Sequence, residues 1–172
     1  MSEPVVYSLV LKSVNGILPT GAANTGVFIV AATNADLTFY GVQNLLARIK
    51  SDYNCQRIKM ELSGALMITQ TAANSPTGID IVVSTGGGLM NTFMNSGTSN
   101  SADKIIGCVN PAIASTFTIS ASEIAYKSPI YINDIDSVSH IRLVLLNALT
   151  YASTGATSPS YSIELIFTPC FG

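Results

Sequence analysis

The chain's single histidine, His140, is the side chain whose ordinary pKa suits proton transfer near neutral pH. A Ser-His-Asp hydrolase built on this sequence would have to use it. His140 stands in Ser139-His140-Ile141-Arg142, on a predicted strand, and no G-x-S-x-G turn is present to offer a nucleophile. These surroundings predict a histidine packed at the start of a strand, with no catalytic role. Just upstream, Asn133, Asp134 and Asp136 make an oxygen-rich loop. A calcium ion takes about six to eight oxygen ligands at short range. Three candidates begin such a site, which would be completed at a subunit contact. The same residues also make an ordinary turn.

Arg48, Lys50, Arg57 and Lys59 are four of the chain's eight bases and fall within twelve positions, with Tyr53 among them. That grouping is a candidate nucleic-acid or phosphate contact. The alternative is a helix end followed by the wet face of a strand, with Asp52 and Glu61 as ion-pair partners. Gly86-Gly87-Gly88 lacks the G-K-[ST] ending of a phosphate-binding loop and reads as a connection between strands. The ten acidic residues are scattered singly and there is no Trp, which nominates no carboxylate pair and no stacking platform for a sugar. Cys55, Cys108 and Cys170 are odd in number and widely spaced, with no C-x-x-C pair. No N-x-[ST] sequon occurs. Both features fit a reduced product of the cytosol, with an intermolecular disulfide open to the leftover thiol.

A chain of 172 residues is one domain's worth, read here as a single domain over 1–172. Only 10% of residues are charged, against about 25% in an ordinary soluble domain. Ser, Thr, Asn, Ala and Gly take the vacated positions. The composition excludes a charged disordered chain and a coiled coil. The net charge of −2 comes with no basic stripe or arm of the kind that a protein neutralising many phosphates needs. Met1-Ser2-Glu3-Pro4 carries no basic residue before an apolar run, so no secretory signal is expected. The apolar run Val27 to Ala32 is far shorter than the ~20 residues that span a bilayer.

Period-two patterning dominates. In Val5 to Val14, Val5, Tyr7, Leu9 and Leu11 alternate with Val6, Ser8, Val10 and Lys12, and the first set should face a core. Further strands are predicted over Gly26 to Thr33, Gln56 to Thr71, Ile79 to Thr85, Lys104 to Val109, Ser115 to Ser120, Pro129 to Ile132, Val138 to Asn147 and Tyr161 to Phe167. The run after His140 is apolar on both faces. Pro169 to Gly172 reads as a tail. Phe39, Val42, Leu45, Leu46 and Ile49 make a helical stripe, which predicts one short helix over Tyr40 to Ser51 with Arg48 and Lys50 in its last turn. The long loop Asn95 to Asp103 should be an exposed tip. About eight to nine short strands and one helix, punctuated by turns, predict an all-β fold: a single antiparallel jelly-roll sandwich.

Three stretches carry a family resemblance: Val5-Val6-Tyr7-Ser8-Leu9-Val10-Leu11, Ser128-Pro129-Ile130-Tyr131-Ile132-Asn133 with His140-Ile141-Arg142-Leu143-Val144-Leu145, and Ser162-Ile163-Glu164-Leu165-Ile166-Phe167. In style and across most of its length, the chain resembles the single jelly-roll capsid proteins of small icosahedral viruses and the penton or minor capsid proteins of larger DNA viruses. The resemblance implies a non-enzymatic virion protein, made in the host cytoplasm. Its partners would be copies of itself, in pentamers or a larger shell, and other capsid proteins. No cofactor is implied. A chain so poor in charge also fits a surface covered by neighbours. The alternative from another class is a trimeric jelly-roll recognition head, like tumour-necrosis-factor-type domains or viral fibre knobs, holding a receptor or glycan through its loop tips.

Overall fold

The computed structural model describes residues 6–18, 23–24, 29–30, 36–71, 78–85, 89–90, 104–110, 116–118, 124–147 and 160–171. In β1 (Tyr7–Lys12) the predicted alternation holds: Leu11 is buried and Tyr7 and Leu9 are half-buried, while Ser8, Val10 and Lys12 are exposed. A 3-10 turn, Ser13–Asn15, ends the strand. The short β2 (Ala23–Asn24) and β3 (Ile29–Val30) pair with each other.

The next strand, β4 (Asp36–Tyr40), corrects the sequence reading, which put Phe39 and Tyr40 with the helix. Phe39 instead pairs with Ile141 on a neighbouring strand. Gly41, at φ 90°, then breaks the strand and opens the helix α1 (Val42–Tyr53). A left-handed residue at this point is what glycine tolerates without strain. The helix is therefore displaced by two residues at each end from its predicted span. Val42, Leu46 and Ile49 are its buried stripe, and Lys50 is the basic residue of its last turn. Asn54, also left-handed, caps it.

The long β5 (Arg57–Thr71) follows, then β6 (Ile79–Ser84), β7 (Leu89–Met90), β8 (Lys104–Val109), β9 (Thr116–Thr118), β10 (Ile124–Lys127) and β11 (Ile130–Ile132). A second 3-10 turn, Ile135–Ser137, leads to β12 (His140–Asn147) and β13 (Ser160–Cys170). The last strand overturns the reading of Pro169 and Cys170 as tail. Both stay on the ladder, opposite Ile58 and Arg57. Gly86-Gly87-Gly88, Asn95 to Asp103 and most of the turn at 74–78 lie outside the described residues.

One sheet runs β1-β13-β5-β11-β7, with β9 beside β5; the other runs β10-β8-β6-β12-β4. Taking β1, β4, β5, β6, β8, β11, β12 and β13 as one path, the outermost strands pair, then the next, down to the innermost hairpin: β1 with β13, β4 with β12, β5 with β11 and β6 with β8, every pair antiparallel. That is a long hairpin rolled up on itself, the jelly roll. The remaining strands extend edges or make small ladders.

The core lies between the two sheets. Ile58, Met60, Leu62, Ile163, Leu165 and Phe167 meet Ile79, Ile81, Val83, Leu143 and Leu145, all fully or nearly fully buried. Each such side chain contributes about 1.5–3 kcal/mol by leaving water. The outer side of the second sheet is buried too: Val82, Val144 and Leu146 form a second apolar cluster with Ile105. The two-faced apolar pattern after His140 is thereby explained. No helix of the described residues is long and apolar enough to cross a membrane.

Candidate functional site

The bases and the acidic loop, read as separate candidates, meet in the fold. The 3-10 turn Ile135–Ser137 packs against α1, burying Ile135. This brings the Lys50 ammonium 2.5 Å from the Asp136 carboxylate. Asp134 contributes its carbonyl oxygen, which accepts from the Ser137 hydroxyl at 3.0 Å and from the Ser137 N–H at 3.3 Å. The Asp134 carbonyl and the Asp136 carboxylate are thus given to local contacts. Among the described residues, no three His, Cys, Asp or Glu side chains gather into a set able to hold a metal ion. Asn133, Asp134 and Asp136 are not joined by a third acidic or imidazole ligand among the described residues.

The other three bases also have partners. Arg48 stands 3.6 Å from Asp52, one helical turn on. Lys59 and Glu61, two apart on the same side of β5, pair at 2.7 Å, and this hydrogen bond raises the Lys59 pKa. The Arg57 guanidinium lies over the Tyr131 ring, 5.7 Å from its centre. Arg57 and Lys59 share one face of a strand, whereas Arg48 and Lys50 sit on the helix. Asp52 and Glu61 are the partners that the sequence suggested.

His140 begins β12 opposite Tyr40, its ring tilted against the tyrosine at 5.9 Å. The Ser139 hydroxyl lies 2.8 Å from Nδ1. Burial, helped by the Arg142 guanidinium, lowers the imidazole pKa below its ordinary 6.5. The partner at Nδ1 is thus a hydroxyl, where a triad would place a carboxylate.

Two features escaped the sequence. Asp36 and Arg142 form a buried ion pair between β4 and β12 at 2.6 Å, with side-chain exposures of 1% and 15%. A buried acid inside a strand, facing an arginine on the strand that pairs with it, becomes visible only once the pairing is known. The second is a cavity of about 570 Å³ lined by Asn54, Cys55, Gln56, Arg57, Cys170 and Phe171. Reading Cys170 as tail hid it. All three cysteines are free thiols.

On the outer side of the first sheet, Val10, Ser162 and Met67 belong to β1, β13 and β5, and the cross-strand row Lys12-Ser162-Met67 is continuous. Val10 and Met67 are 47% and 58% exposed. A groove of about 350 Å³ follows this row. No protein-family model matches the sequence, and no curated protein matches it.

Proposed function

We propose that this chain is a structural, non-enzymatic subunit of a virion shell, self-assembling into pentamers or a larger closed shell. The observation that carries the reading is the disposition of charge on a jelly-roll frame. Three of the four clustered bases are neutralised by Asp52, Asp136 and Glu61. Meanwhile Val6, Val10 and Met67 stand in the open. A net charge of −2 gives weak electrostatic protection against association. Surfaces that are apolar and poor in charge are the kind that obligate partners cover. Copies of the chain, and other shell proteins, are the partners of this reading. The virion is its location, and the host cytoplasm its place of synthesis.

Sedimentation velocity and negative-stain microscopy of the purified protein test it together. Rings or closed shells are expected. A stable monomer at micromolar concentration would overturn the proposal. Trimers alone, with capture on a glycan array, would replace it with the recognition-head reading.

A further inference from the structure

Cys170 ends β13, and Cys55 lies in the turn between α1 and β5; both line the cavity of about 570 Å³. That volume falls within the roughly 300–1,000 Å³ of small-molecule sites. The two thiols differ in access. Cys55 is only 3% exposed, its Sγ lies 3.9 Å from the Ile49 carbonyl oxygen, and burial raises its pKa. Cys170 is half-buried, with Sγ 3.7 Å from the Thr168 carbonyl oxygen. The third thiol, Cys108, is buried in the second sheet and pushed up to about 12 by that burial. Cys170 is therefore the thiol that solvent reaches.

The cavity's surroundings favour an anion with amide groups. Arg57 stands directly across the ladder from Cys170 and lines the cavity with it. Asn54 and Gln56 add side-chain amides to the wall. Both thiols are free, and Cys55 sits in the turn before β5, off the ladder that carries Cys170. An incoming thiol has the cavity to occupy.

We propose that this cavity is a thiolation site, where Cys170 takes up a small anionic thiol of the glutathione class as a mixed disulfide. Cys170 releases its proton to solvent, and its sulfur attacks one sulfur of oxidised glutathione. The new S–S bond forms as the old one breaks. The second glutathione leaves as a thiolate and takes up a proton. The sulfur of Cys170 is oxidised, and the leaving sulfur is reduced. Arg57 draws in the carboxylates of the incoming molecule.

The test treats the native protein with oxidised glutathione and, separately, with the uncharged bis(2-hydroxyethyl) disulfide, followed by intact mass and peptide mapping. One glutathione per chain is expected, on Cys170. Arg57→Gln should slow the glutathione reaction several-fold and leave the rate with the uncharged reagent unchanged. Three outcomes would overturn the proposal: no adduct, an adduct spread over Cys55 and Cys108, or loss of two hydrogens with Cys55 joined to Cys170. Mapping the unsubstituted protein decides these without any variant having to fold.

Discussion

Arg142 holds Asp36 with two prongs, Nε to Oδ1 at 2.7 Å and Nη2 to Oδ2 at 2.6 Å, across the ladder that joins β12 to β4. Two parallel charge-assisted bonds fix register as well as contact. The pair also acts at a distance: burial and the Asp36 charge together push the Tyr161 hydroxyl above its ordinary pKa.

Arg142→Ala leaves the Asp36 carboxylate buried without its cation. The loss should be about 3–5 kcal/mol. Replacing both partners, as Asp36→Leu with Arg142→Met, should recover most of it, because the buried charge goes as well. Urea unfolding of the single and double variants measures both. A loss below about 1 kcal/mol for the single variant would show the pair to be solvated, as surface pairs are.

Two glycines separate backbone strain from crowding. Gly41 has φ +90° and open space where a Cβ would go, so Gly41→Ala should cost about 1–2 kcal/mol through conformation alone. At Gly16 an added Cβ would come within 2.7 Å of Leu37, itself 1% exposed in the core. Gly16→Ala should cost about 1–3 kcal/mol through overpacking. Trimming Leu37 to Ala in the Gly16→Ala background should relieve part of the Gly16 penalty and none of the Gly41 penalty. Denaturant midpoints of the three single variants and of the two doubles that carry Leu37→Ala decide between the two causes.

His140 should titrate below 6.5 in the folded protein. In this pH range the unfolded chain binds its proton first. Stability therefore falls as the pH drops below about 6.5 and levels off once the folded imidazole is protonated as well. A chain with one histidine gives one imidazole signal, so an NMR titration reads the value directly. His140→Gln should flatten the fall in stability that begins below pH 6.5. A folded pKa at or above 6.5 would refute the sign.

Association by the outer side of the first sheet predicts a clean separation of folding from assembly. Val10→Lys and Met67→Lys place charge at exposed positions, where substitutions cost within about 0.5 kcal/mol of stability. The double variant should keep its unfolding midpoint and lose rings or shells to smaller species. Unchanged particles would place the contact elsewhere on the surface.

The frame was legible because alternation is a local signal. Tyr7, Leu9 and Leu11 against Ser8 and Val10 announce one buried face, and the doubly apolar run at 143–146 announces two. What escaped depends on pairing. Phe39 fits a helical stripe with Val42 and Leu46 as well as it fits a strand, and only its pairing with Ile141 and the break at Gly41 assign it. Cys170 lies beyond a proline, which signals an end in sequence, yet the partner strand carries the ladder on to Arg57. The four bases were visible as a group. Lys50 meeting Asp136 spans 86 positions and follows from the fold alone.

The rolled hairpin also sets a timetable for synthesis. The pairing of β6 with β8 is available once residue 109 has left the ribosome, whereas β1 waits for residues 162–167 before it has its neighbour. Until those residues emerge β1 lacks its β13 partner, so nascent-chain proteolysis should cut near residues 7–12 until the closing strand arrives.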